Sequence, residues 1–227
     1  MTVLIFLGPP GSGKGTQALK LSERLVIPHI ALGDILREEV AGGTEIGKQA
    51  EKFMSAGKLV PDELTIDIVR ERLKKSDCRD GFILDGFPRN SNQAKNLEKI
   101  FLELKVGLDR AVYFSIPLPD VVKRLSERRS CKRCGAVYHL TFHPPKKSAK
   151  GGSASGGKDV CDRCGGELYQ RHDDEESIIK TRFSVYGDET KPLIKHFEEK
   201  GVLLEIDAAG GVEEIYSRLL SSLGISK

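Results

Sequence analysis

Nine residues near the start, Gly8-Pro9-Pro10-Gly11-Ser12-Gly13-Lys14-Gly15-Thr16, set glycines and one lysine at the spacing of a phosphate-binding loop. The glycines let the backbone curl with its N–H groups pointing inward. Those donors, the start of the following helix and the Lys14 ammonium can together hold phosphate oxygens. The loop follows an apolar run and opens a helical pattern, which is the setting the motif requires. Gly11, Ser12, Gly13, Lys14, Gly15 and Thr16 are therefore the expected grip on a nucleoside triphosphate, and the chemistry such a grip serves is transfer of the terminal phosphoryl group.

A second constellation is the cysteine quartet Cys131-x-x-Cys134 and Cys161-x-x-Cys164, with 26 residues between the two pairs. Each pair can place two thiolates on one tetrahedral ion, and four would close its coordination shell, as a structural zinc requires. Two disulfides or an iron site are the competing readings, and His139 or His143 could in principle displace a cysteine. Gly135 and Gly165 stand just behind the knuckles, where a turn is needed. Cys78 stands alone and reads as a packing residue.

Phosphoryl transfer asks little covalent chemistry of a protein. It asks for two groups held in line, neutralised charge and exclusion of water. Arg37, Arg89, Arg124, Arg128, Arg171 and Arg182 are spread through the chain, and guanidinium forks suit phosphate oxygens. Taken singly, each would read as a solvated surface charge.

The elements that must position these groups alternate. Val3–Leu7, Phe82–Leu84, Ala111–Ile116 and Val202–Ile206 are short apolar runs that suit strands buried on both faces of a parallel sheet. Gln17–Leu25, Asn90–Leu104, Asp120–Arg129, Glu175–Lys200 and Val212–Leu223 read as helices. Strand and helix in alternation predict a three-layer α/β fold with right-handed crossovers. Two segments break the rhythm and read as inserts. Residues 31–60 carry only helical patterns, and 130–172 are rich in Cys, Gly, Pro and Lys, with Lys146–Lys158 reading as a flexible, solvated loop. The 227 residues suffice for a full core, and 36 Lys plus Arg nearly balance 33 Asp plus Glu, which argues against a polyanion-coating role. No stretch approaches the roughly 20 apolar residues of a membrane span. The first residues lack a basic region, and Gly8-Pro9-Pro10 cuts the apolar run short of a signal peptide. A cytoplasmic location is expected.

Gly15 departs from the common loop, which places Ser or Thr directly after the lysine. The run Gly8 to Gln17 resembles the loop of the adenylate kinase family, among the nucleoside monophosphate kinases. Asp85-Gly86-Phe87-Pro88-Arg89 and Gly33-Asp34-Ile35-Leu36-Arg37 look like its second and third signatures, and the likeness runs from Val3 to about Val212. The resemblance implies a P-loop kinase core over 1–30, 61–126 and 175–227, an NMP-binding insert at 31–60 and a lid insert at 127–174. It implies ATP and AMP as partners, two ADP as product, magnesium with ATP, a monomer, and neither nucleic acid nor membrane.

By the same likeness, Arg37 and Arg89 hold the acceptor phosphate, Arg171 and Arg182 bridge acceptor and moving phosphoryl group, and Arg128 holds the donor phosphates. Arg124 stacks on the donor base, near Gly210, with Val137 and Tyr138 also on the ATP side. Lys14, Arg89, Arg128, Arg171 and Arg182 carry the catalysis, and Asp85 orients magnesium through water. On the AMP side stand Leu32, Lys58, Leu59, Val60, Gly86, Phe87, Pro88 and Gln93, the last expected to hydrogen-bond adenine. Asp173 and Asp174 match a segment that contacts the core on closing. The quartet resembles the zinc-bearing lid of some bacterial members. Leu32 stands where the family usually has threonine, so a base hydroxyl contact is lost and GTP, UMP or CMP keep some room as substrates. A zinc ribbon gripping nucleic acid through Lys132, Arg133 and Arg163 is the reading from another class, and it leaves Asp85–Arg89 without a purpose.

Overall fold

The computed structural model describes residues 1–148 and 159–226, so residues 149–158 of the stretch read as a solvated loop lie outside it. In chain order the first elements are β1 (Thr2–Leu7), α1 (Lys14–Leu25), β2 (His29–Ala31), α2 (Leu32–Ala41), α3 (Glu45–Ser55) and α4 (Asp62–Leu73). Next come β3 (Gly81–Asp85), α5 (Ser91–Leu104), β4 (Arg110–Ser115) and α6 (Leu118–Ser126). A small β region follows, with β5 (Arg128–Cys131), β6 (Val137–His139), β7 (Lys147–Ser148), β8 (Asp159–Val160) and β9 (Leu168–Tyr169). The chain closes with α7 (Glu176–Val185), α8 (Pro192–Glu199), β10 (Leu203–Asp207) and α9 (Val212–Ser222).

Five strands form one parallel sheet in the order β10-β4-β1-β3-β2. The sheet is apolar on both faces because two cores use alternate residues of the same strands. Val3, Ile5 and Leu7 of β1 join Phe82 and Leu84 of β3 in one core, with α4, α5 and α8 above them. Leu4 and Phe6 join Ile83, Val112 and Phe114 in the other, against α1 and α9. A one-residue slip of β1 would exchange the two sets. The expected three-layer α/β fold with a central parallel sheet is the observed one.

The structure adds two elements to those expected and corrects two others. β2 is a strand of three residues, too short to show a pattern. The helix α4 is the second addition, with Thr65, Ile66, Val69 and Leu73 burying one face of it. The helix expected at Asp120–Arg129 runs instead from Leu118 to Ser126 with a proline in its first turn, and Arg128 already pairs in β5. The single helix expected over Glu175–Lys200 is broken by a π turn at Tyr186–Thr190, and Pro192 opens α8 because it lacks the N–H an interior position needs.

Candidate active site

The loop between β1 and α1 is built on glycines with positive φ, and Gly13 at φ 90° is the residue from which α1 starts. That conformation turns successive amides toward one point, and an L side chain adopts it only with strain. Lys14 Nζ donates to Gly8 O at 2.7 Å, to Pro9 O at 2.9 Å and to Ser12 Oγ at 3.3 Å. The ammonium thus ties down the loop's carbonyls and leaves its N–H groups for an anion. Burial pushes the Lys14 ammonium down to about 8; the Asp85 charge opposes this, and Arg89, Arg182 and Arg128 reinforce it. Charges from three separate elements therefore converge on the loop.

Asp85 ends β3 directly opposite. A Cβ on Gly15 would lie 3.2 Å from Asp85 Oδ2, so the unusual glycine is where the carboxylate approaches α1. His29 Nε2, from β2, lies 3.2 Å from the same oxygen. Burial opposes the Asp85 charge, but the His29 hydrogen bond and the Lys14 and Arg89 charges outweigh it and hold the carboxyl below its usual range. An ionised carboxylate beside the phosphate loop is a fit donor for a hard divalent cation.

Carboxylates hold several of the arginines. Arg128 makes a two-pronged pair with Asp174, whose side chain is fully buried. Arg182 reaches Asp173 Oδ2 at 2.8 Å and Asp174 Oδ1 at 3.4 Å. Arg171 Nε donates to Ser130 Oγ at 2.8 Å, and its Nη2 lies 3.8 Å from Asp34 Oδ1, which also pairs with Arg37. Arg89 Nε donates to Gly86 O at 2.9 Å. Burial lowers Arg171 and Arg182 to about 10, with neighbouring cations adding to the effect. Both stay charged at neutral pH, in a cleft whose cations outnumber its carboxylates. Such a cleft is preorganised for polyphosphate, because the cost of gathering the charges is met on folding rather than on binding.

Of the residues expected on the donor side, Arg124 donates from Nη2 to Ala208 O at 2.8 Å and Gly210 O at 3.0 Å, and its guanidinium sits 5.9 Å from the Phe142 ring centroid. Asp120, Lys123, Arg124, Phe142 and Gly210 line a cavity of about 120 Å³. Val137 is exposed, whereas Tyr138 is buried. The Tyr138 hydroxyl lies 3.3 Å from Cys161 Sγ and accepts from Asp162 N at 2.8 Å. Of the residues expected on the acceptor side, Leu32 and Phe87 are buried in the core, Val60 is buried beside them, and Lys58 is exposed. Pro88 follows a cis peptide bond, and Gly86 turns at φ 75°. Gln93 is 1% exposed and its amide is engaged by the protein. It accepts from Arg89 N at 2.7 Å and donates to Asp62 Oδ1 at 2.8 Å.

The four cysteine sulfurs lie within 4.8 Å of one another, with Cys131–Cys164 and Cys134–Cys161 both at 3.5 Å. A tetrahedral ion with bonds of about 2.3 Å sets its sulfurs about 3.8 Å apart, so the quartet fits zinc. Arg133 N donates to Cys131 Sγ at 3.4 Å. A Cβ on Gly166 would lie 2.9 Å from Cys131 Sγ, so that glycine is demanded by the site.

Asp62, Thr65, His29, Phe142 and the carboxylate roles of Asp34, Asp173 and Asp174 escaped sequence reasoning. Apart from the Asp34–Arg37 pair within α2, no short spacing marks them, since their partners lie farther along the chain.

The comparisons with known proteins agree with this geometry. A family model described as adenylate kinase matches residues 6–202. The adenylate kinase of Archaeoglobus fulgidus is 49% identical over 216 residues, 95% of each chain. That of Thermodesulfovibrio yellowstonii is 46% identical over 220 residues, covering 97% of this chain and 98% of its own. That of Methanocella arvoryzae is 47% identical over 211 residues, 93% of each. A phosphate loop facing an arginine-lined cleft, matched over nearly its whole length to these relatives, places the chain: it belongs to the adenylate kinase family.

Proposed function

We propose that the chain carries out its family's reaction, the reversible transfer of the terminal phosphoryl group from ATP to AMP giving two ADP, and that the residues above divide the work as follows. Lys14 and the amides of Gly11–Thr16 grip the donor's phosphates. Arg128 neutralises them from the lid, and Arg124 with Gly210 and Val137 borders the donor base. Tyr138 contributes through its backbone, since its hydroxyl serves the cysteine knuckle. Arg37 and Arg89 hold the acceptor phosphate, with Gly86, Phe87 and Pro88 shaping the turn that presents Arg89. Arg171 and Arg182 reach between the two nucleotides. No general base is needed, because the acceptor is already an ionised phosphate. Magnesium arriving with ATP would supply charge neutralisation on the polyphosphate, with Asp85 orienting it through water. Cys131, Cys134, Cys161 and Cys164 would hold structural zinc.

The division into core, acceptor insert (31–60) and lid (127–174) belongs to this reading, as do action as a monomer and a cytoplasmic location. Among the described residues no helix is long and apolar enough to cross a membrane. The observation that carries the proposal is the convergence of Arg89, Arg128 and Arg182 on Lys14. Purified protein mixed with AMP and ATP-Mg is expected to form ADP, and a yield no greater than that of a Lys14→Met control would reject the assignment.

A further inference from the structure

A threonine in a helix ordinarily turns its hydroxyl to a carbonyl one turn back. Thr181 of α7 does so, donating to Ser177 O at 3.2 Å. Thr190 does not. It is buried, and its Oγ1 donates to Arg89 O at 2.7 Å, across 101 residues of chain. The π turn between α7 and α8 carries it, closed by Lys191 N donating to Tyr186 O at 2.8 Å. One residue more than an α turn shifts the side chains that follow by about 100° round the axis. The irregular turn thus ends on a hydroxyl set against the connection that bears Arg89.

The two helices it joins are anchored to different neighbours. Leu193 and Phe197 of α8 are buried in the core that holds α5, and His196 Nε2 and Lys200 Nζ lie 2.9 and 2.8 Å from Glu98 Oε1 of that helix. Helix α7 packs through Ile179 against Val121 and Leu125 of α6, and it carries Arg182 toward Asp173 and Asp174. Arg89 is otherwise held from its own side of the cleft, its N–H on Gln93 Oε1 at 2.7 Å and its Nε on Gly86 O at 2.9 Å. The two guanidiniums are neighbours, since Arg89 is among the charges that, after burial, depress Arg182. Like charges repel, so their separation has to be held by ties through the chain.

We propose that Thr190 is a positioning residue for phosphoryl transfer: its hydroxyl, aimed by the π turn, ties the Arg89 connection to the segment bearing Arg182 and keeps the two guanidiniums in register. This rests on the roles given above to Arg89 and Arg182 and adds what sets one against the other. Without the hydroxyl, Arg89 O loses its partner, and the peptide after Arg89 turns to find another, carrying the arginine's stem with it. A small misplacement of a group that holds a reactant in line is costly to the rate.

Steady-state kinetics and thermal melts on wild type, Thr190→Val, Thr190→Ser and Thr190→Ala test this. Valine keeps the branched shape and removes the donor. Its kcat/KM for AMP, at saturating ATP-Mg, is expected to fall about fivefold, the equivalent of one hydrogen bond, with KM for ATP-Mg unmoved. Serine retains the donor and should stay within about twofold of wild type. A role confined to packing would lower the melting temperature of Thr190→Val and leave its rate constants in place, and that result overturns the proposal. An equal loss toward AMP and ATP-Mg also overturns it, because it marks a loosened junction and not a displaced Arg89. Should Thr190→Val not fold, alanine against serine decides, and equal activity of those two overturns the proposal. A wild type forming no more ADP than its Lys14→Met control defeats the underlying reading and the proposal with it. An active wild type matched by Thr190→Val refutes only the part given to Thr190.

Discussion

At the scale of single residues, Lys14 shows how the cleft tunes a group for its task. Burial and three nearby arginines lower its ammonium to about 8, so the free protein begins to lose this charge just above physiological pH. Bound phosphates favour the charged form and raise the value in the complex. Binding above pH 8 therefore takes up a proton, and affinity must fall as pH climbs from 8 toward the complex's own value. The kcat/KM for ATP-Mg at AMP well below its KM reports the free enzyme, so its profile is expected to bend down near pH 8, while kcat bends at higher pH. A kcat/KM flat to pH 10 would contradict the lowered value. Folding stability runs the other way. A lysine depressed from 10.5 to about 8 is unfavourably charged in the fold below pH 8, and that burden is relieved as pH rises through the window. Affinity and stability then respond with opposite signs to one titration.

At the scale of elements, the helical segment 31–60 is positioned by close contact as well as by sequence pattern. The helices α2 and α3 cross where Gly47 lies, and a Cβ there would come 2.1 Å from Glu39 O, a backbone atom that cannot swing aside. Two effects of Gly47→Ala compete. Helix propensity favours alanine by roughly 0.5–1 kcal/mol, whereas forcing atoms into a filled contact costs about 1–3 kcal/mol. Packing wins, so the substitution is expected to lower stability, and a thermal or urea melt showing a gain would refute the crossing. Such a contact is invisible in the sequence, where Gly47 reads as punctuation. The same division runs through the site. Gly8–Thr16, Asp85–Arg89 and the cysteine pairs were legible because their chemistry needs neighbours at fixed short spacing. Strand β2 gave no periodicity in three residues. His29 with Asp85, Asp62 with Gln93 and Asp34 with Arg171 join residues from different elements, and only the register of the sheet and the path of the inserts bring them together.

For the whole molecule, the governing fact is that the cleft's charges come from parts with unequal means of holding their shape. The sheet carries two extensive apolar clusters on its faces, whereas among the described residues the cluster around the cysteines buries Cys131, Tyr138 and Cys161 with a few partly covered neighbours. Burial of so few groups stabilises by a few kcal/mol at most, while structural zinc in small peptides contributes an apparent 10–16 kcal/mol. Metal must therefore dominate the lid's fold if the quartet holds it. Arg128 and Arg171 flank the cysteine-bearing segment, and Arg171 Nη2 lies 3.8 Å from Asp34 Oδ1 of α2, so under the proposed roles the shape of that segment is coupled to both nucleotide sites. Stripping the metal with a chelator is expected to remove about one zinc per chain, lower the melting temperature and abolish most ADP formation, with much of the core's far-ultraviolet signal retained. Readdition of zinc should restore activity. Metal-free protein that melts and turns over as before would mean that the four thiols need no ion to hold the lid, and that Arg128 and Arg171 are fixed by their carboxylate partners alone.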